Sequence, residues 1–239
     1  MGFINVYEDP DRASSYAKLE FPGTYHLAFR DLPEIIGRRA RGKRALDFGC
    51  GAGRSTRFLR HLGFDVVGVD ISLDMILKAR EIDPAGDYRM ISEGDLGQFE
   101  ERSLDLVLSA FTFDNIPTEE QKVRSLAGLR ALLRDEGVMV NLVSSAEIYK
   151  HEWASFSTKD FPENRTARTG DRVRIVMTDV EDTRPVEDVV WYDEDYRNTH
   201  AKAGFRMLDK FEPLAMGGEP YHWVNETRIA PWVIYVLSR

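Results

Sequence analysis

Residues 44–55 read Arg44-Ala45-Leu46-Asp47-Phe48-Gly49-Cys50-Gly51-Ala52-Gly53-Arg54-Ser55. A short strand, Arg44 to Phe48, runs into three alternating glycines, and a helical run to Leu62 follows with Phe58, Leu59 and Leu62 on one face. Gly63 is placed to stop that helix. Glycines there let the main chain turn tightly and approach a ligand, while the helix behind directs its N–H groups at that ligand. Such a turn by itself also serves ordinary strand-to-helix connections. Its context sharpens it: Phe64 to Val69 reads as a second, buried strand, and Asp70 ends it 17 residues after Gly53. In open α/β sheets the ligand crevice lies at the carboxyl ends of the strands, and a carboxylate on the second strand end can accept both hydroxyls of a ribose.

The glycine spacing narrows the ligand. A dinucleotide turn, G-x-G-x-x-G, would need glycine at position 54, where this chain has Arg54, and the Gly-Lys-Ser/Thr of a P-loop is absent. Asp47, two positions before the first glycine, would repel a pyrophosphate and suits a ligand carrying an ammonium group.

Outward from this turn the rhythm continues. Asp31 to Ala40 is a predicted helix with Leu32, Ile35 and Ile36 at helical spacing and Pro33 near its start. Ser72 is the expected N-cap of a helix through Met75, Ile76, Leu77 and Ala79 to Arg80. Tyr88–Ile91 is a weaker strand, Leu104–Ser109 a strong one, and Thr118 with Gln121 opens a helix expected to end at Gly137. Val138–Val143 is another buried strand. Strands alternating with helices imply a doubly wound, seven-stranded, mainly parallel sheet. After Val143 the alternation breaks: a helix is expected over Ala146–Phe156, then a polar stretch, then β-rich pieces at Val173–Met177 and Val186–Tyr192. It resumes with a helix over Asp193–Ala203 capped by Gly204, and strands at Phe205–Phe211 and Trp232–Ser238. The expected organisation is an N-terminal helical lid (1–40), a cofactor-binding α/β core (41–143), an α+β insertion covering the substrate (144–192) and a C-terminal completion of the sheet (193–239).

Composition sets outer limits. The 239 residues are 43% hydrophobic and 30% charged, as in a globular domain and unlike a disordered or collagen-like chain. The single Cys excludes an internal disulfide and a cysteine-based metal site, and no metal is expected. No stretch approaches the roughly 18 apolar residues of a membrane helix, and the N-terminus lacks the pattern of a signal peptide, so a cytoplasmic protein is expected. The net charge of −8 argues against nucleic acid, although residues 1–60 carry 11 Lys+Arg against 7 Asp+Glu. That local excess, Arg38, Arg39, Arg41, Lys43 and Arg44, reads either as a nucleic-acid patch or as a solvated helix end, and the lack of interleaved aromatics favours the second.

The stretch LDFGCGAGRS, followed by VVGVDIS, EGDL and LDLVLSAF, resembles the class I S-adenosylmethionine-dependent methyltransferases, specifically their small-molecule branch. The resemblance covers about residues 44–143 and again 193–239. It implies that Asp47 and the backbone of Gly49, Cys50, Gly51 and Gly53 hold the methionine end of S-adenosylmethionine. Asp70, with Ile71 beside it, takes the ribose, Met75 lies near the adenine, and Asp95 with the Leu96 N–H accepts and donates at the adenine edge. Ser109 and Ala110 flank the transferable methyl. Read from the residues alone, Asp95 also fits a turn cap, Met75 a core position, and Cys50 a small residue tolerated in a tight turn. Where many relatives carry a His-rich turn after the fourth strand, this chain has Phe111-Thr112-Phe113-Asp114-Asn115-Ile116-Pro117.

The activity expected is in-line transfer of a methyl group to an O or N atom of a small molecule, in which positioning matters most and a general base only for a protonated acceptor. Weak catalytic candidates are Asp114, His151 and His222; candidate substrate contacts are Tyr25, Phe113, Asp114, Asn115, Trp153 and His222. Asp114 and Asn115 fit an Asx-type turn equally well, and a lone His is more often structural. Arg165, Arg168, Arg172 and Arg174 could meet an anionic substrate group or simply be solvated. The competing readings are a nicotinamide-dependent oxidoreductase, disfavoured by the glycine spacing, and a non-catalytic protein binding S-adenosylmethionine or S-adenosylhomocysteine. RNA or protein methylation is disfavoured by the acidic charge and by the missing Asn/Asp-Pro-Pro-aromatic signature. A monomer or homodimer with no nucleic-acid or membrane partner is expected.

Overall fold

The computed structural model describes residues 20–239; residues 1–19 of the expected N-terminal lid lie outside that range. Ten strands are present among the described residues: β1 (Arg44–Phe48), β2 (Asp65–Asp70), β3 (Asp87–Met90), β4 (Leu104–Ala110), β5 (Leu133–Ser144), β6 (Phe156–Ser157), β7 (Arg172–Met177), β8 (Val186–Val189), β9 (Arg206–Phe211) and β10 (Trp232–Ser238). Six α-helices accompany them: α1 (Thr24–Arg30), α2 (Leu32–Arg39), α3 (Arg54–His61), α4 (Leu73–Ile82), α5 (Glu119–Leu132) and α6 (Asp193–Lys202). Seven strands form one sheet in the order β3-β2-β1-β4-β5-β10-β9. It is parallel from β3 to β5, and β10 runs antiparallel to both β5 and β9. Chain order reverses between β1 and β4, which puts the crevice of a doubly wound sheet at the carboxyl ends of those two strands.

Side chains alternate across the sheet. Ala45, Leu106, Leu108, Val140, Ile234 and Val236 pack into a core shared with α1 and α2. Leu46, Val107, Met139, Tyr235 and Leu237 face the opposite core, which holds Leu126 and Leu129 of α5 and Tyr196 of α6. Burying both faces explains why the central strands read as continuous apolar runs. The expected caps form: Ser72 Oγ accepts from the Met75 N–H and Thr118 Oγ1 from the Gln121 N–H. The basic excess before β1 is partly ion-paired at the last turn of α2, Arg38 with Glu34 and Arg39 with Asp209.

Two expectations fail. The helix opened by Thr118 ends at Leu132, not at Gly137, because Leu133 already pairs with Leu104 as the start of β5. Gly137 serves close approach: a Cβ there would lie 2.8 Å from the Leu104 carbonyl oxygen. Ala146–Phe156 is not a helix. A single 3-10 turn spans Ala146–Tyr149, after which the Trp153 N–H bonds back to the Phe156 carbonyl and the Glu152 carboxylate accepts from the Thr158 N–H. Local side-chain acceptors have there displaced the helical ladder. Beyond it β6, β7 and β8 form a small antiparallel sheet. The Glu226 carboxylate, fully buried, accepts from Thr24 Oγ1 and the Ala154 N–H, and so ties α1 and this added layer to the chain leading into β10.

Candidate functional site

The turn after β1 is built from its glycines. Gly49, Gly51 and Gly53 all have positive φ, at 74°, 52° and 83°, a conformation that costs other residues about 1–2 kcal/mol. A Cβ on Gly49 would strike Thr112 and one on Gly53 would strike Tyr88, whereas one on Gly51 would meet nothing within 4 Å. Two glycines therefore serve packing, and the third leaves the turn open on the side where a ligand would lie. Asp47 is wholly buried at the end of β1; its Oδ2 accepts from Ser55 Oγ at 2.7 Å and Thr56 Oγ1 at 2.6 Å, while Oδ1 has no partner among the described residues. Burial raises its pKa to about 6, against the lowering effect of the two hydroxyls. An unpaired buried carboxylate oxygen beside an open glycine turn fits an ammonium-bearing ligand.

Asp70, at the end of β2, holds the same turn: Oδ2 accepts from the Gly51 N–H at 2.8 Å and Oδ1 from the Ser72 N–H at 2.9 Å. Burial pushes its pKa upward. Next to it Ile71 is largely exposed, an apolar surface at the strand end. Cys50 is buried, and burial together with Asp70 and Asp47 pushes its thiol well above the ordinary range, so it sits in the turn as a small neutral side chain. Met75 lies buried on α4. Asp95 is exposed and its Oδ1 accepts from the Gly97 N–H, with Leu96 buried beneath. Ser109 is fully buried with an unpartnered hydroxyl, beside Asn141 in the register, and Ala110 closes β4.

Beyond β4 the chain turns through Phe111, a non-glycine residue at φ 65°. Thr112 Oγ1 in that turn donates to the Phe48 carbonyl at 2.8 Å, so the turn is fixed to the glycine loop. A cavity of about 40 Å³ opens alongside, between the ends of β4 and β5, the start of β10, α1 and the small sheet. Tyr25, Phe111, Phe156 and Trp232 make its aromatic wall, with Phe111 and Trp232 rings 4.7 Å apart and Tyr25 stacked on Trp232 at 5.5 Å. Asp114, Asn115, Tyr149 and Asp188 supply its polar part. Asp114 is held by the Ser144 N–H at 3.0 Å and the Tyr196 hydroxyl at 3.0 Å. Behind it Lys122 is completely buried, its ammonium donating to the Phe113 carbonyl and lying over the Trp191 ring. Burial lowers Lys122 to about 7 and raises Asp188 to about 7, the latter helped by Asp114.

Of the expected substrate contacts, Tyr25, Asp114 and Asn115 line this cavity and Phe113, Trp153 and His222 do not. Phe113 points into the opposite core against Phe48; Trp153 is buried with its indole N–H on the Ile148 carbonyl; His222 is exposed on the loop before β10. His151 is bound to Glu147 and also stays outside the lining. Arg172 pairs with Glu187 and Arg174 with Glu163 at the surface. Lys122, Tyr149, Tyr196 and Asp188 were not anticipated. Their signal was present: Lys122 stands at helical spacing from Leu126 and Leu129, and Asp188 alternates with Val186 and Val190 on one strand face.

Residues 46–141 match the family model described as a methyltransferase domain. Over those residues the chain resembles the S-adenosylmethionine-dependent methyltransferase family. S-adenosylmethionine is that family's cofactor, and the paired features of the Asp47 cradle and the Asp70 strand end fit it. Two curated relatives carry the name uncharacterized methyltransferase. One, from Geobacillus sp. (strain WCH70), is 29% identical over 136 residues, 55% of this chain and 62% of that one. The other, from Bacillus cytotoxicus, is 34% identical over 113 residues, 47% and 51% of the two chains. The match therefore spans about half to three-fifths of those relatives' lengths. The fold itself extends further. A Pyrococcus horikoshii protein superposes with a TM-score of 0.63 at 19% identity over 99% of both chains. An S-adenosylmethionine-dependent methyltransferase of Clostridium acetobutylicum gives 0.62 at 14%, covering 98% of this chain and 96% of that one. Among the described residues no helix is long and apolar enough to cross a membrane, and no three His, Cys, Asp or Glu side chains gather as a metal site.

Proposed function

We propose that the chain transfers a methyl group from S-adenosylmethionine to a nitrogen or oxygen of a small molecule seated in the aromatic cavity. The observation that carries this reading is the junction of cradle and cavity: Phe111, Asp114 and Asn115 of the turn after β4 line the cavity, while Thr112 in the same turn bonds to the Phe48 carbonyl at the start of the glycine loop. When bound, the cofactor supplies an electrophilic methyl on a sulfonium. Asp47 Oδ1 would receive its ammonium, the Gly51 side of the turn would pass its backbone, and Asp70 would accept from its ribose hydroxyls. The aromatic wall excludes water and orients the acceptor, which is the main task in a displacement whose leaving group is already good. Its enclosure and the acidic net charge favour a small acceptor over RNA or a protein surface. α1 acts as a lid element in this reading: Tyr25 reaches the cavity while the Arg54 guanidinium, at the first position of α3, lies 4.7 Å from its ring centroid. The segment 144–192 acts as the acceptor cover. A lone, buried Cys50 suits a reducing, cytoplasmic setting.

Thermal unfolding tests the assignment. S-adenosylhomocysteine is expected to raise the melting temperature, NAD to leave it unchanged, and Asp70→Ala to abolish the rise; no rise for the wild type would overturn the proposal.

A further inference from the structure

The cavity selects its occupant by what its polar atoms lack. Asp188 is nine-tenths buried in the lining; its Oδ2 accepts from the Tyr149 hydroxyl at 3.1 Å, and its Oδ1 has no hydrogen-bond partner among the described residues. Asn115, also in the lining, has an unpartnered buried amide oxygen, while one N–H of its NH2 donates to the Phe111 carbonyl. The two unpartnered oxygens are acceptors. Their complement is a donor.

Charge points the same way. Asp114 and Asp188 are two buried carboxylates, and Lys122 is the cation facing them. Lys122 makes no ion pair with either within 4 Å among the described residues; its donor is committed to the Phe113 carbonyl. Fully ionised, the cluster carries one excess negative charge in a site walled by aromatic rings, and an uncompensated buried charge is costly. Tyr149 and Tyr196 are hydroxyl donors, and Glu187, next to Asp188, adds to the negative field. An entering ammonium would balance the count beside the aromatic rings of Trp232 and Phe111, which attract cations.

Resting on the methyltransferase reading, we propose that the acceptor is a small amine bound as its ammonium, with one N–H on Asp188 Oδ1 and the rest of the molecule against the aromatic wall. Asp188 then has a second task. The ammonium passes a proton to Asp188 Oδ1, giving a neutral carboxylic acid and a free amine. The amine lone pair forms the N–CH3 bond as the C–S bond of the sulfonium breaks and its electrons leave on sulfur. The new methylammonium carries the positive charge, and Asp188 returns its proton to water. A carboxylated acceptor would meet two carboxylates and is excluded.

The test is binding to the full chain saturated with S-adenosylhomocysteine, by calorimetry. The probes are methylammonium, propylammonium and benzylammonium, each beside the alcohol and the carboxylate of the same skeleton. At one size or more the ammonium is expected to bind at least tenfold tighter than its alcohol, with the carboxylate weakest. Asp188→Asn is expected to remove most of that preference while S-adenosylhomocysteine still binds, which also shows that the variant is folded. Should Asp188→Asn fail to fold, Asn115→Leu is expected to lower ammonium affinity severalfold, and the wild-type ranking stands without any variant. The proposal is overturned if no ammonium outranks its alcohol and carboxylate, including the case in which no probe binds, or if folded Asp188→Asn keeps the preference. Failure of S-adenosylhomocysteine itself to bind would instead overturn the methyltransferase reading on which this one rests.

Discussion

Replacing Asp47 with asparagine separates the cost of the cofactor cradle from its use. Burial raises this carboxyl from its ordinary 3.8 to about 6 in the folded chain. Between those values the folded state holds more protons than the unfolded state, so stability falls as pH rises through the window, and the loss is complete above about pH 6. For a fully buried group the displacement is worth roughly 3 kcal/mol at pH 7.5 and about half that at pH 5. Asparagine stands in for the protonated acid: it can still accept from Ser55 and Thr56 through its amide oxygen, but its NH2 fits the place of Oδ1 imperfectly, a mismatch of about 1 kcal/mol. Ligand-free Asp47→Asn is therefore expected to be more stable than wild type by about 2 kcal/mol at pH 7.5, and nearly equal to it at pH 5, in urea unfolding. The same variant loses the charge opposite the cofactor's ammonium, so S-adenosylhomocysteine affinity should drop about thirtyfold or more, in line with the 2–4 kcal/mol of a buried charged hydrogen bond. A variant less stable at both pH values, or a stability difference that does not grow with pH, would refute the argument that this carboxylate is strained by burial. Unchanged ligand affinity would refute its place in the cradle.

Two further predictions follow from the same geometry. Gly49→Ala combines φ 74° with a Cβ that would collide with the Thr112 side chain, so it should unfold about 2–3 kcal/mol more easily. Gly51→Ala, which meets no atom, should cost only about 1 kcal/mol of stability yet weaken S-adenosylhomocysteine binding at least tenfold; equal effects of the two on both readouts would contradict the division between packing and open glycines. His200, buried on α6 beside the Asn141 amide, is lowered to about 4 by desolvation. The unfolded chain binds its proton first, so its contribution to stability is lost as pH falls from 6.5 toward 4, by up to about 3 kcal/mol. Relative to wild type, His200→Gln should gain that amount over this pH range in urea unfolding, and a pH-independent difference would argue that His200 is protonated in the folded state.

What the sequence made legible is what short-range chemistry decides. β1 and α3 were readable to within a residue because glycines, a capping position and an apolar stripe all lie inside twenty positions. The helix expected over Ala146–Phe156 failed for the same kind of reason in reverse, since Glu152 offers its carboxylate to the Thr158 N–H and a hairpin forms instead. The polar cluster in and behind the cavity wall belongs to a different class. Asp114, Lys122, Tyr149, Asp188 and Tyr196 come from five separate elements and interact only once the sheet is built, and no spacing rule links them. Two of the charged members nevertheless violate their own local pattern: Lys122 occupies an apolar-stripe position of α5, and Asp188 an inward position of β8 between Val186 and Val190. A charge at such a position must be compensated from elsewhere in the fold or the element will not bury its face. Two such charges of opposite sign in one chain, neither with a local partner, point to a shared polar interior, and Asp114 adds to it the excess negative charge that an ammonium acceptor would balance.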